Sequence, residues 1–197
     1  MKKIELRLVG LSYSATEGGS YVLFLGERKG NTKLPIIIKP NDAQYIGMKM
    51  EGLTVTRPLT HDLFKKITDA LGADLQEIYI KHVIEGIFYV KLLFSNMMEE
   101  FEIDSSVGDA ISMAMSYKCP IFCSSEVLKI SGIQMDDDGT ITEDIDGKER
   151  DYSGVITVEN LEKMKEKALD NEEYEIASQL RDRINELKEK ENSKDNG

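Results

Sequence analysis

Four aspartates stand where the chain is expected to enter a helix or leave a strand: Asp42, Asp62 and Asp109 at helix starts, Asp104 at a strand end. His61 precedes Asp62, with Arg57 shortly before it and Lys39 just before Asp42. Together these residue types suit the cutting of a phosphodiester, which needs charge neutralisation at phosphate and an activated water. A carboxylate cluster of Asp42, Asp62, Asp104 and Asp109 holding magnesium or manganese could supply both. His61, Asp62, Asp104 and Asp109 are the catalytic candidates, with the His61 imidazole able to pass a proton either way. Arg57 and Lys39 are the candidate phosphate contacts. Each residue also has a purely structural reading: an Asp in a first turn stabilises the helix dipole, His61 beside Thr60 completes a cap, and Arg57 serves an ion pair. No short-range metal spacing such as His-x-x-x-His is present, and no organic cofactor is expected.

These residues must be positioned by an α+β domain. Strands are expected over 4–13, 20–26 and 34–38, separated by turns at Gly18-Gly19 and Arg28-Lys29-Gly30-Asn31. Pro40 suits the first turn of a helix over 40–50 that stops near Gly52. Thr60 is the expected N-cap of a second helix over 61–71, on which Leu63, Phe64, Ile67 and Leu71 recur at helical spacing before Gly72. Strands over 75–84, 87–94 and 97–103 lead to Ser106 and a third helix over 107–117. Ile121-Phe122-Cys123 and Val127-Leu128-Lys129-Ile130 are expected as short final strands, and His82 as an ordinary strand-end residue. The expected whole is mixed or antiparallel sheet with about three helices and a C-terminal α-helical hairpin. Asp42-Ala43 and Asp109-Ala110 each follow a strand and open a helix, and Ile46-Gly47-Met48 echoes Met113-Ala114-Met115 at the same offset. That echo suggests an internal duplication.

Charge divides the chain. Residues 1–133 carry 15 Lys+Arg against 16 Asp+Glu, whereas residues 134–197 carry 10 against 20. An acidic tail repels nucleic acid, so nucleic-acid chemistry is expected of the near-neutral first part, helped by local patches such as Arg28-Lys29 and Lys65-Lys66. No apolar run approaches the ~20 residues that cross a bilayer, and polar residues interrupt the apolar stretch that a signal peptide would need; a cytoplasmic protein away from the membrane is expected. Cys119 and Cys123 lack the spacing of a redox or zinc pair and are expected as small core residues in a reducing compartment. The expected layout is a domain over 1–133, an acidic linker over 134–153, a helical hairpin over 154–192 and a disordered tail over 193–197. Asp136-Asp137-Asp138-Gly139 looks like part of a calcium loop without the remaining ligands, so it is read as linker.

The hairpin carries the most specific local pattern. Its helices are expected over 157–169 and 173–190, turning at Asp170-Asn171. Val158, Leu161, Met164 and Ala168 form one stripe, and Ala177, Leu180, Ile184 and Leu187 the other, at coiled-coil spacing. So short a hairpin needs a further surface: a second copy, another hairpin, or its own domain. The run Glu173-Tyr174-Glu175-Ile176-Ala177-Ser178-Gln179-Leu180-Arg181-Asp182-Arg183-Ile184 resembles the UVR motif of the UvrB–UvrC excision-repair system. The resemblance implies protein–protein docking, with Tyr174, Ala177, Leu180, Arg181 and Ile184 as the partner-docking residues.

Residues 1–133 resemble the bifunctional nuclease (BFN) family. The resemblance rests on Leu34-Pro35-Ile36 with Asp42-Ala43, on Arg57-Pro58-Leu59-Thr60-His61-Asp62-Leu63, on Leu71-Gly72, on Asp104 with Asp109-Ala110-Ile111, and on Pro120-Ile121 and Val127-Leu128. It implies nuclease activity on DNA and RNA, and the order of the two parts agrees, since BFN domains are often followed by a UVR motif. Where the family carries Ala-Arg-Pro-Ser after Asp104, this chain has Ser105-Ser106-Val107-Gly108. A basic residue is lost there, and Ser106 replaces it only as a cap. The leading expectation is a bacterial, metal-assisted nuclease targeted by its hairpin to a UVR-containing or related partner. The alternative is a non-enzymatic, homo-oligomeric adaptor that recruits repair or stress-response partners.

Overall fold

The computed structural model describes residues 2–13, 20–54, 56–134 and 158–194. The Gly18-Gly19 turn, nearly all of the expected linker with its acidic run, and residues 195–197 lie outside the described residues.

The element order runs twice. Strands β1 (Lys3–Tyr13), β2 (Tyr21–Glu27) and β3 (Thr32–Ile38) form an antiparallel meander that feeds helix α1 (Pro40–Met50). After α2 (Thr60–Ala70), strands β4 (Asp74–Ile84), β5 (Ile87–Ser95) and β6 (Glu100–Ser105) form a second meander that feeds α3 (Val107–Tyr117). Strand β7 (Ile121–Ser124) joins the halves, antiparallel to β1 and parallel to β4. With β8 (Ile133–Gln134) beside β3, one eight-stranded mixed sheet results, in the order β6-β5-β4-β7-β1-β2-β3-β8. Asp42 and Asp109 occupy the third position of α1 and α3 respectively, each followed by a fully buried alanine. The Asp-Ala echo thus marks equivalent places in the two halves.

Local chemistry explains three departures from the sequence reading. The expected strand over Val127–Ile130 lies inside helix α4 (Ser125–Ser131), because the Ser124 hydroxyl accepts the Val127 N–H and caps a helix. Thr60 is the first helical residue of α2 rather than its cap; Leu59 holds the cap position without a side-chain bond. Strand β6 starts at Glu100 because the Asn96 side chain accepts the N–H groups of Met98 and Glu99 and holds 96–99 as a turn.

The hairpin consists of α5 (Val158–Asp170) and α6 (Tyr174–Lys194), with Glu172 in the left-handed conformation at the turn (φ 60°). Leu161, Met164, Ala168, Ala177, Leu180 and Ile184 are buried in the same apolar core as the sheet and α1. The packing is close at Gly47, where any Cβ would run into the Met164 Cε. Polar contacts latch the hairpin down. Asn160 donates to the Leu11 carbonyl (3.0 Å) and accepts from the Tyr13 N–H (3.2 Å). Gln179 donates to the Thr54 carbonyl (2.5 Å), and Arg183 pairs with Glu51 (2.5 Å). Of the three surfaces that could support this hairpin, the structure shows it on its own domain.

Leu180→Ala removes a fully buried side chain and is expected to weaken the hairpin by about 2–5 kcal/mol. Hydrogen exchange would show α5 and α6 losing protection first. An equal loss throughout β4–β6 would show instead that hairpin and sheet unfold as one unit.

Candidate functional site

Helix α3 packs against both α1 and α2, and the first turns of all three helices meet. Asp42 in α1 lies against Gly108 of α3, where a Cβ would collide with its carboxylate. His61 in α2 places Nε2 3.5 Å from Asp109 Oδ1 in α3. The Tyr45 ring lies against the His61 ring, with centroids 4.7 Å apart. His61 is largely enclosed, at 17% side-chain exposure, while Asp109 is open at 56%. Each aspartate is held by local chemistry: Asp109 accepts from the Ser106 hydroxyl (2.6 Å), and Asp42 accepts from the Lys39 backbone N–H. Burial, then the neighbouring Asp109, pushes the Asp42 carboxyl above its ordinary range, against the opposing charges of His61 and Lys39.

Asp42, Tyr45 and His61 line a cleft of about 180 Å³ together with Asn41, Gln44 and Leu59. Its other wall comes from the hairpin, through Asn171, Glu173 and Ile176. The Gln44 amide donates to Glu173 at 2.7 Å. Nothing in the sequence pattern tied the hairpin to this cleft. Tyr45 was also missed, although it follows Asp42 by three residues and so shares its helix face.

The remaining candidates are elsewhere or otherwise engaged. Asp62 Oδ1 receives the Tyr45 hydroxyl (2.7 Å), the Ser116 hydroxyl (2.9 Å) and the Lys49 ammonium (2.9 Å). Asp104 is 84% exposed and pairs with Lys91 at 2.8 Å. Register places it on the far side of the sheet. Leu92 pairs with Ile103 and Val90 with Ser105 on the face that α3 covers, so Lys91 and Asp104 between them point away. The four aspartates expected to share a metal therefore do not converge; Asp42 and Asp109 alone of the four sit together with His61. Among the described residues no three His, Cys, Asp or Glu side chains form a metal-ligand group. Arg57 is exposed on the loop before α2, where its charge helps to lower the pKa of Glu175, after the hydrogen bonds from Thr56. Lys39 is exposed at the start of α1. On α6, Tyr174 and Arg181 are exposed, while Ala177, Leu180 and Ile184 are turned inward. Both cysteines are free; burial pushes their thiols up to about 12.

An eight-stranded α+β sheet of two meanders with a helical hairpin on top defines the class of this protein. Residues 23–136 match the bifunctional nuclease domain, and residues 157–190 match the UvrB/uvrC motif. The uncharacterized proteins MT1877 and Rv1829 of Mycobacterium tuberculosis are each 32% identical over 134 residues, covering 68% of this chain and 79% of theirs. Bifunctional nuclease 1 of Arabidopsis thaliana is 24% identical over 156 residues, covering 78% of this chain and 47% of that protein. The chain belongs to the bifunctional nuclease domain family and carries a UVR motif. The matched region begins inside β2, yet β1 is integral to the sheet, between β2 and β7. Among the described residues, no helix is long and apolar enough to cross a membrane.

Asp62 offers a pH test. Burial alone would raise its pKa, but hydrogen bonds from Lys49, Tyr45 and Ser116 and the Lys49 charge hold it below the ordinary value. A depressed folded-state pKa adds stability that is fully present above the unfolded value of about 3.9 and lost as pH falls toward the folded one. Asp62→Asn is expected to melt below the wild type at neutral pH, with the gap in Tm closing as pH drops beneath about 3.9. A gap that stays constant with pH would show that the carboxylate's charge is not what ties the helices.

Proposed function

We propose that this protein cleaves phosphodiester bonds of DNA or RNA in the cleft lined by Asp42 and His61, with Asp109 beside His61. The carrying observation is that Asp42 and His61 line one cleft of a bifunctional nuclease domain with Asp109 3.5 Å from His61, the three coming from three separate helix starts. Three helix starts, of which α1 and α2 make no side-chain cap bond, present positive dipole ends that favour a phosphate. Lys39 adds positive charge near Asp42. His61 takes the proton from the attacking water as its oxygen bonds to phosphorus. Asp109 stabilises the imidazolium, which then gives that proton to the leaving oxygen as the phosphorus–oxygen bond breaks. As placed, the carboxylates do not form a ligand set, so no step of this scheme runs through a metal ion.

The hairpin gives the cleft a regulator. Asn171 and Glu173 stand in its wall, so a partner that binds the exposed Tyr174–Arg181 face and shifts α6 would change access to His61. The adaptor reading draws on the same exposed face and needs no chemistry in the cleft.

The test is cleavage of single-stranded DNA and RNA by the full chain, with magnesium, manganese or chelator. His61→Ala and Asp109→Asn are expected to lose about 10²–10⁴-fold, while Asp104→Ala keeps wild-type activity. Activity that survives His61→Ala, or dies with Asp104→Ala, would overturn the assignment. No cleavage by the wild type under any of these conditions would leave the adaptor.

A further inference from the structure

The cleft beside His61 follows one face of α1, where Asn41, Gln44, Tyr45 and Met48 line it at spacings of three and four. Gln44 is the unusual member. Glutamine is mostly a surface residue, yet Gln44 is only 6% exposed. Its amide nitrogen donates to the Glu173 carboxylate at 2.7 Å. A carboxylate accepts and an amide oxygen cannot donate, so this bond fixes the amide's orientation and turns Oε1 away from Glu173. Oε1 receives no donor from the described residues. It is not sealed off either: among them, only the Ser112 hydroxyl is both buried and without a partner. Oε1 therefore opens to the cleft that Gln44 lines. Glu173 is half-buried and engages one oxygen in its bond to Gln44, which leaves the other free to accept.

Two open acceptors thus stand side by side between α1 and the hairpin, one of them on an anion. Such a place repels a phosphate and calls for donors. Met48, Leu59 and Ile176 give the same cleft apolar walls, and its volume of about 180 Å³ takes one ring system rather than a duplex.

We propose that this part of the cleft is a nucleobase subsite selective for guanine, an inference that rests on the cleavage reading above and adds the substrate's identity to it. Guanine is the base whose Watson–Crick edge carries two neighbouring donors, the ring N1–H and the exocyclic amino group. A carboxylate accepts well from such amino groups. Adenine and cytosine set a ring acceptor beside their amino group, and thymine and uracil flank one N–H with two carbonyls, so each turns an acceptor toward Gln44 Oε1 or Glu173. The faces of the ring lie against the apolar walls, while the adjoining phosphate stays at the helix starts near His61. Reading that edge requires an unpaired base, so the substrate is single-stranded. The hairpin then contributes a recognition residue, Glu173, rather than only a wall.

The experiment measures binding of the full chain to a phosphorothioate pentanucleotide, thymine throughout except for a central guanine, hypoxanthine or thymine. Hypoxanthine keeps the shape of guanine and lacks only the amino group. The guanine form is expected to bind about tenfold tighter than either of the others. Glu173→Gln replaces one acceptor and its charge, and Gln44→Met removes Oε1; each is expected to bring the guanine-to-hypoxanthine ratio to about one. A merely loosened hairpin would weaken all three forms alike and leave that ratio intact. Equal wild-type affinities for guanine and hypoxanthine overturn the proposal. So does a preference that survives both variants, or a wild type that binds none of the three. Cleavage of the phosphodiester forms is scored separately. A guanine preference without cleavage supports the subsite and counts against the nuclease, whereas cleavage with no preference for the base overturns the subsite and leaves the nuclease standing.

Discussion

One carboxylate fixes the geometry on which everything else rests. Asp62 Oδ1 gathers Tyr45 and Lys49 from α1 and Ser116 from α3 onto α2. A single atom thereby sets the relative position of three helices whose first turns carry Asp42, His61 and Asp109. Charge-assisted hydrogen bonds in a part-buried setting are directional and stronger than neutral ones. The apolar stripe of α2 cannot do this work, because it faces outward. Besides Asp62, α2 is held by the bond between Thr68 and Tyr117, by Lys65 over the Tyr117 ring, by His61 against Tyr45 and Asp109, and by Phe64 against Phe94. Asp62 was expected at the chemistry; its contacts are those of the brace beneath it.

The convergence of Asp42 and Asp109 follows from the repeated element order. Each meander ends in a helix with Asp at its third position, and β7 joins the two meanders into one sheet so that α1 and α3 pack together. Residues at the same position of the two helices then meet. Like charges so placed repel, and the upward shift of Asp42 reflects part of that cost. Gly108 makes the approach possible, since any side chain at that position would strike the Asp42 carboxylate. This gives a physical sense to Ser105-Ser106-Val107-Gly108: Ser106 caps α3 and holds Asp109, and Gly108 yields its space to Asp42.

Much of the fold was legible because its signals are local. Pro40 opened α1, Ser106 capped α3, and the meander strands fell within a few residues of their expected places. The Asp-Ala echo matches an element order that runs twice. Three features depended on information that no local pattern carries. The Val127–Ile130 run reads as a strand until the Ser124 cap is weighed against it. The side of the sheet on which Asp104 lies is decided by its pairing with Lys91, and a single-residue change of register would reverse it. The Leu63–Leu71 stripe looks like a core face; only the tertiary hydrogen bonds of Asp62 and Thr68 turn it outward. The hairpin was legible as a motif and as a unit needing support, but its seat against Gly47 and its place in the wall of the cleft depend on contacts across more than a hundred residues of sequence.

A phosphate held in the proposed cleft would touch the first turns of α1, α2 and α3 together. Titrating the ¹⁵N-labelled full chain with a short phosphorothioate oligonucleotide, and following the backbone amide shifts, tests it most directly. The largest shifts are expected to cluster at residues 41–43, 60–63 and 107–110 and at Asn171 and Glu173 across the cleft. Shifts confined to another surface, such as the exposed face around Lys91 and Asp104, would contradict it, as would an oligonucleotide that binds while leaving those three turns unmoved.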